Sequence, residues 1–276
     1  MMAVADVEGA PGSSLTSGTS NVEISDVEIV TPVGRLPAWM QEWVKSPTWK
    51  RDRLALRLMG ETGVARRSDA QEMFAQLIGV GARTGSVHRA FRRLIQRGVV
   101  EVIEATAGLG ARHLIRLTEK GQDAYRLLFG KEPVPSQTTE LLKRHKSPDH
   151  VMLVLATGDV LRDAGWRVDL FPKPVDLDGG SRYEPDLVAV SPDGEVAYVE
   201  CERMTRKNPT ERKLKWQRCY IATGGDIYIA VPDQQAEEAI RSEVLRWLGG
   251  KRIRLRMMVV AEAEAEKPWV YDREHG

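Results

Sequence analysis

Residues 182–203 read RYEPDLVAVSPDGEVAYVECER. Two strand-like runs, PDLVAV and VAYVECE, are joined across Ser191-Pro192-Asp193-Gly194, a composition that is turn chemistry and nothing more. Side chains alternate faces along a strand. Tyr198, Glu200 and Glu202 therefore share one face, while Ala197, Val199 and Cys201 share the other. Two carboxylates on one face of a largely apolar strand are costly unless a cation or basic group compensates. A hairpin brings Asp186, fourteen positions before Glu200, beside them. Carboxylate oxygens in such a group suit a hard divalent cation, Mg²⁺ or Mn²⁺. An ion held there activates water and stabilises a phosphoryl transition state. Asp186, Glu200 and Glu202 are thus the candidate metal ligands and catalytic acids, and no organic cofactor is expected. The plain alternative is that Asp186 only opens a strand and the glutamates pair with Arg212 or Lys213 in solvent. Such a pair is worth about 0–1 kcal/mol.

Around this segment the pattern is that of one mixed α/β sheet flanked by helices over residues 147–262. Ser147-Pro148 caps a long helix reaching about Ala164. A strand at WRVDLF precedes the quoted segment. A basic helix (Thr210 to Ala222), a strand (DIYIAVP), an acidic helix (Gln235 to Leu248) and a strand (IRLRMMVV) follow it. Residues 263–276 read as a C-terminal tail, 131–146 as an interdomain linker, and 1–35 as a disordered tail too poor in apolar side chains to fold.

Residues 36–130 form a separate α+β unit by the same reading. Trp39 and Trp43 lie one helical turn apart. Ser46-Pro47 starts a helix that stops at Gly60, and Ser68 with Gln71 makes a capping box for the next. After Gly79, Gly81 and Gly85 a third helix runs from Ser86 to about Arg97, with Gly98 just past its end. Val87, Ala90/Phe91 and Leu94/Ile95 recur as one buried stripe. Ser86, Arg89, Arg93 and Arg97 fall opposite, flanked by His88 and Arg92. Two strand-like stretches joined by AGLGA follow as a hairpin carrying Arg112 and Arg116, and LTEKG (Leu117 to Gly121) leads into a last helix.

The chain has 276 residues and a formal net charge of +1, which conceals a local excess. Between Lys50 and Arg97 stand ten arginines and one lysine against Asp52, Glu61, Asp69 and Glu72. Local charge is what a phosphate backbone feels. A helix that buries one side and shows arginines on the other suits the major groove, where arginine grips guanine edges or phosphates. Ser86, Arg89, Arg92, Arg93, Arg97, Arg112 and Arg116 are the candidate DNA contacts, the two in the hairpin through phosphates. Double-stranded DNA is the expected partner, and a homodimer or larger nucleoprotein complex is compatible. A solvated helix face, or a protein-binding surface, is the competing explanation of the same arginines.

Helix, turn, helix and wing in this order, with the LTxxG step, resemble the winged helix-turn-helix superfamily over roughly residues 50–130. Pro185-Asp186 and Glu200 resemble the PD-(D/E)xK nuclease superfamily, with a restriction-endonuclease-like fold implied for the second domain. That pattern departs at Glu202, where lysine is usual. Some members use glutamate there, and others supply the lysine from the following helix. Lys213 and Lys215 in RKLKWQRCY are the candidates, with Lys207 in a loop before them. Lys213 is preferred, because Tyr220 lies seven residues on along the same helical face. Taken together, His150, Gly165-Trp166, Pro185-Asp186, the acidic strand and Tyr220 resemble the plasmid replication-relaxation family. That resemblance implies action on plasmid or mobile-element DNA, by metal-dependent cleavage or nicking. The alternative it leaves open is a catalytically inactive replication or transcription factor whose α/β domain serves dimerisation or partner binding.

Other classes recede. The N-terminus has no secretory signature and no apolar run approaches the roughly 18 residues of a membrane span, so a cytoplasmic protein without membrane association is expected. The two cysteines, Cys201 and Cys219, make neither a disulfide framework nor a zinc motif.

Overall fold

A computed structural model describes residues 31–106, 113–203 and 208–276. It is an α+β structure whose C-terminal half is a mixed sheet flanked by helices. Among the described residues, no helix is long and apolar enough to cross a membrane.

The N-terminal half packs α1 (Ala38–Val44), α2 (Trp49–Thr62), α3 (Arg67–Leu77) and α4 (Gly85–Gln96) around Met40, Trp43, Leu56, Phe74, Phe91 and Leu94. Helix α2 starts two residues later than the Ser46-Pro47 reading and passes through Gly60. It ends at Gly63, whose left-handed φ of 58° makes the stop. Helix α3 begins at Arg67 with Arg66 in the capping position, so Ser68 lies inside its first turn, bonds Asp69 and caps nothing. The antiparallel strands β1 (Val100–Glu104) and β2 (His113–Leu117) follow, and the loop AGLGA lies outside the described residues. Ile115 N donates to Ala65 O at 2.8 Å, tying β2 to the segment before α3.

Helix α5 (Glu119–Phe129) is capped by Thr118, whose Oγ1 accepts from Gly121 N at 3.1 Å. A Cβ built on Gly121 would lie 1.9 Å from the Val99 carbonyl oxygen, so only glycine lets this helix come so close to β1. Gly121→Ala is expected to destabilise the protein by at least about 2 kcal/mol, since a backbone atom must move. Thermal melts of the two proteins would show it, and an unchanged midpoint would mean the approach is looser than described.

The segment read as a linker contains a helix, α6 (Gln137–His145). Thr138 Oγ1 lies within hydrogen-bonding distance of both the Ala65 and Ile115 carbonyls, at 3.0 and 2.8 Å, and Leu141 is buried. Ala65, Ala105, Leu114 and Leu141 share one apolar cluster with Val151–Leu155 of α7 (Pro148–Asp163), so the two halves have a common core.

Strands β3 (Arg167–Asp169), β6 (Leu187–Val190), β7 (Val196–Cys201), β8 (Asp226–Val231), β9 (Ile253–Val259) and β10 (Tyr271–His275) form a six-stranded sheet ordered β10-β9-β8-β7-β6-β3. Its three central strands, β7, β8 and β9, run parallel and the outer pairings are antiparallel. A small hairpin of β4 (Val175–Asp176) and β5 (Arg182–Tyr183) stands apart. Because β8 is buried on both faces, it reads as the continuous run IYIAV. Tyr228 and Ala230 face α7, while Ile227, Ile229 and Val231 face α8 (Pro209–Thr223) and α9 (Gln234–Leu248). Residues 263–276 are more than a tail, since Tyr271 to His275 pair with β9 in full register.

Candidate metal centre and helix surface

The hairpin expected from the sequence brings the acids together. Leu187 pairs with Val199, Asp186 N donates to Val199 O at 3.1 Å, and Asp186 Oδ2 accepts from Cys201 N at 2.7 Å. Glu200 and Glu202 are buried, and the Asp186 side chain is 13% exposed. Three acids so placed need compensation, and it comes from α8. Lys215 Nζ is paired with carboxylate oxygens of both Glu200 and Glu202. Arg212 Nη1 lies 2.6 Å from Glu202, and its Nε lies 2.7 Å from Glu243 on α9. Trp216 Nε1 also donates to Glu243, at 2.5 Å.

Lys213, the preferred lysine of the sequence reading, is not in this group. Its side chain leaves on the exposed side of α8, with Nζ 5.8 Å from the Trp247 ring centroid. The inward stripe of α8 is Arg212, Trp216 and Cys219, and Lys215 lies beside it. Lys207 lies outside the described residues.

His145 is not among the residues that the sequence pattern singles out, and His150 enters there only through the family resemblance. His145 ends α6 and His150 stands in the first turn of α7. His145 Nδ1 is 3.3 Å from Asp186 Oδ1 and His150 Nε2 is 3.2 Å from Asp186 Oδ2. The spacing of two histidines five apart was the available signal, but it lay across a stretch read as linker.

These neighbours push the acids apart. Burial alone raises the Asp186 carboxyl, but the two imidazoles and Lys215 override it and hold it well below the usual carboxylate range. Glu200 goes the other way. Burial, helped by the Asp186 and Glu202 charges, raises it against the pull of Lys215. Burial disfavours the Lys215 ammonium, yet Glu200, Glu202 and Asp186 together hold it well above its ordinary value. Burial also pushes Cys219 up to about 12 and raises Cys201 well above its ordinary value, which leaves both as inert core thiols.

Asp186 and Glu200 carry carboxylate oxygens of the kind a divalent cation takes, with Lys215 already paired to Glu200 Oε2. Asp186, Glu200, Glu202 and Glu243 gather around Lys215 and Arg212. Glu202 does not fit as a ligand, because Arg212 and Lys215 already occupy its two oxygens.

On α4 the stripe Val87, Ala90, Phe91 and Leu94 is buried as read. Arg89 and Arg92 are exposed and form no ion pair with the described residues. Two other candidates turn inward. Arg93 binds Asp52, with Nη2 2.6 Å from Oδ1, and Arg97 lies 5.3 Å over the Trp43 ring. Ser86 is half-buried with Oγ 3.0 Å from Thr84 Oγ1. Arg116 pairs with Glu101 at 2.5 Å and reaches Thr139. Arg112 lies outside the described residues. The free arginine surface is therefore narrower than the sequence pattern implies.

No protein-family model, curated protein or solved structure matches the chain.

Proposed function

We propose that this protein binds double-stranded DNA through α4 and the β1–β2 hairpin and hydrolyses a phosphodiester bond beside Asp186. The carrying observation is that the partly buried Asp186 stands on the strand next to the buried Glu200, which has a lysine ammonium fixed against it. A strand-borne acid pair with an adjacent lysine is the set that phosphoryl chemistry needs, and it matches the nuclease resemblance with the lysine moved to a helix. The winged-helix reading is supported by the order α2, α3, α4, β1, β2 and by the tie from β2 to the segment before α3.

In this reading Asp186 and Glu200 would hold a divalent ion that neutralises charge at the scissile phosphate and activates water. Lys215 offers a fixed ammonium to a phosphate oxygen or the attacking water. Glu202, clamped by Arg212, sets the direction of that ammonium. Arg89 and Arg92 meet the DNA backbone or base edges from the open side of α4. The closed Arg212–Glu202–Lys215 network favours a second reading, in which the acids only brace the fold and the protein binds DNA without cutting it.

Supercoiled plasmid incubated with protein and Mg²⁺ or Mn²⁺ separates the two. Nicked or linear product is expected, and intact plasmid at stoichiometric protein with both ions removes the cleavage reading. Arg89→Ala with Arg92→Ala is expected to weaken binding and lower the slope of log affinity against log salt by about 2. An unchanged slope in a titration would place the DNA elsewhere.

A further inference from the structure

We infer that His145, His150 and Asp186 form a binding site for a divalent transition-metal ion of the manganese, cobalt or zinc class. One donor atom from each of the three lies within 4.8 Å of the others. The shorter separations, 3.3 Å from His145 Nδ1 to Asp186 Oδ1 and 3.2 Å from His150 Nε2 to Asp186 Oδ2, resemble the edges of a coordination shell. Ligands about 2.1 Å from one ion stand about 3.0–3.4 Å apart.

The backbone is arranged for this. Between the two helices Lys146 adopts a left-handed φ of 62°, and the tight reversal stacks the imidazoles with centroids 4.9 Å apart and planes 12° from parallel. Both rings then point one nitrogen at the same carboxylate. The Nε2 atoms of His145 and His150 are nonetheless buried without a hydrogen-bond partner, although the His145 side chain is only 2% exposed. A buried polar atom left unpaired is costly. For His150 that atom is the one 3.2 Å from Asp186 Oδ2, close to the carboxylate but not hydrogen-bonded to it. A cation between them resolves the contact.

Ligand chemistry selects the ion. Mg²⁺ prefers oxygen ligands and gives up its waters reluctantly. Two imidazoles with one carboxylate suit borderline divalent metals and leave coordination positions open. Because Asp186 is shared, the inference rests on the cleavage reading for what the ion does there, but not for whether it binds.

The test uses the full chain, freed of metal by chelation and titrated calorimetrically with Zn²⁺, Co²⁺ and Mg²⁺. One equivalent of Zn²⁺ or Co²⁺ is expected to bind at least tenfold more tightly than Mg²⁺, with a visible Co²⁺ band showing nitrogen ligation. His150→Gln and His145→Gln are each expected to weaken binding by about 100-fold. Zn²⁺ binding that is unchanged in both variants, or absent in the wild-type protein, overturns the site. Should either variant fail to fold, X-ray absorption on the zinc-loaded wild-type protein decides: two imidazoles support the site and an all-oxygen shell overturns it. Imidazole ligation without any plasmid nicking would leave the site standing and remove only the cleavage reading. Nicking with an all-oxygen shell would do the reverse.

Discussion

Asp186→Asn is expected to lower plasmid nicking by about 10²–10⁴-fold while leaving DNA affinity within about twofold. The size follows from what the carboxylate does in the proposed site: it is the one acid shared by the Glu200 side and the imidazole side, and it is held ionised. Asparagine keeps an oxygen that can still accept from Cys201 N, so the β6–β7 hairpin retains its 2.7 Å tie. Alanine would orphan that N–H and cost about 1–3 kcal/mol in addition, mixing a folding defect with the chemical one. Glu200→Gln should behave alike, but with a smaller loss. Lys215 holds Glu202 as well as Glu200 and would stay in place. Measuring nicking and filter-bound DNA on the same preparations keeps catalysis and binding apart. Full nicking by Asp186→Asn would refute a chemical role for this residue.

How much of this was legible in the letters depends on how local each feature is. Strand alternation placed Glu200 and Glu202 on one face, and the Ser-Pro-Asp-Gly turn put Asp186 against them. These follow from backbone geometry within about twenty residues. The lysine did not. Lys213 and Lys215 differ by two positions on one helix, and the choice turns on which stripe of α8 is buried. Tyr220 suggested the Lys213 side, yet Tyr220 is half-buried while Trp216 and Cys219 are fully inside. His145 was invisible for another reason: its contact with Asp186 spans 41 residues and depends on a helix hidden in a proline-flanked stretch. Strand β10 escaped because an edge strand exposed along its middle, YDREH, has no apolar alternation to announce it. Tertiary pairing alone makes it a strand.

The helix surface teaches the same lesson with a measurable consequence. Arg93→Ala is expected to destabilise the protein by about 2–4 kcal/mol, although a helical wheel assigns Arg93 to the DNA. Asp52 is completely buried, and its carboxylate is satisfied by Trp43 Nε1 at 3.1 Å, Thr48 Oγ1 at 3.1 Å and the Arg93 guanidinium. Removing the guanidinium leaves a buried anion with two neutral donors. The lower end of the range applies because Arg93 is partly exposed and water can replace it in part. The paired change Asp52→Asn with Arg93→Ala should recover part of the loss, since the charge needing compensation is gone. Denaturant melts of the single and double variants form a cycle that isolates the pair. Arg89→Ala supplies the contrast, as its guanidinium lies exposed and its loss should leave stability within about 0.5 kcal/mol. If instead Arg93→Ala melts like the wild-type protein and loses DNA affinity, the Asp52 contact is dispensable and the arginine belongs to the DNA surface after all.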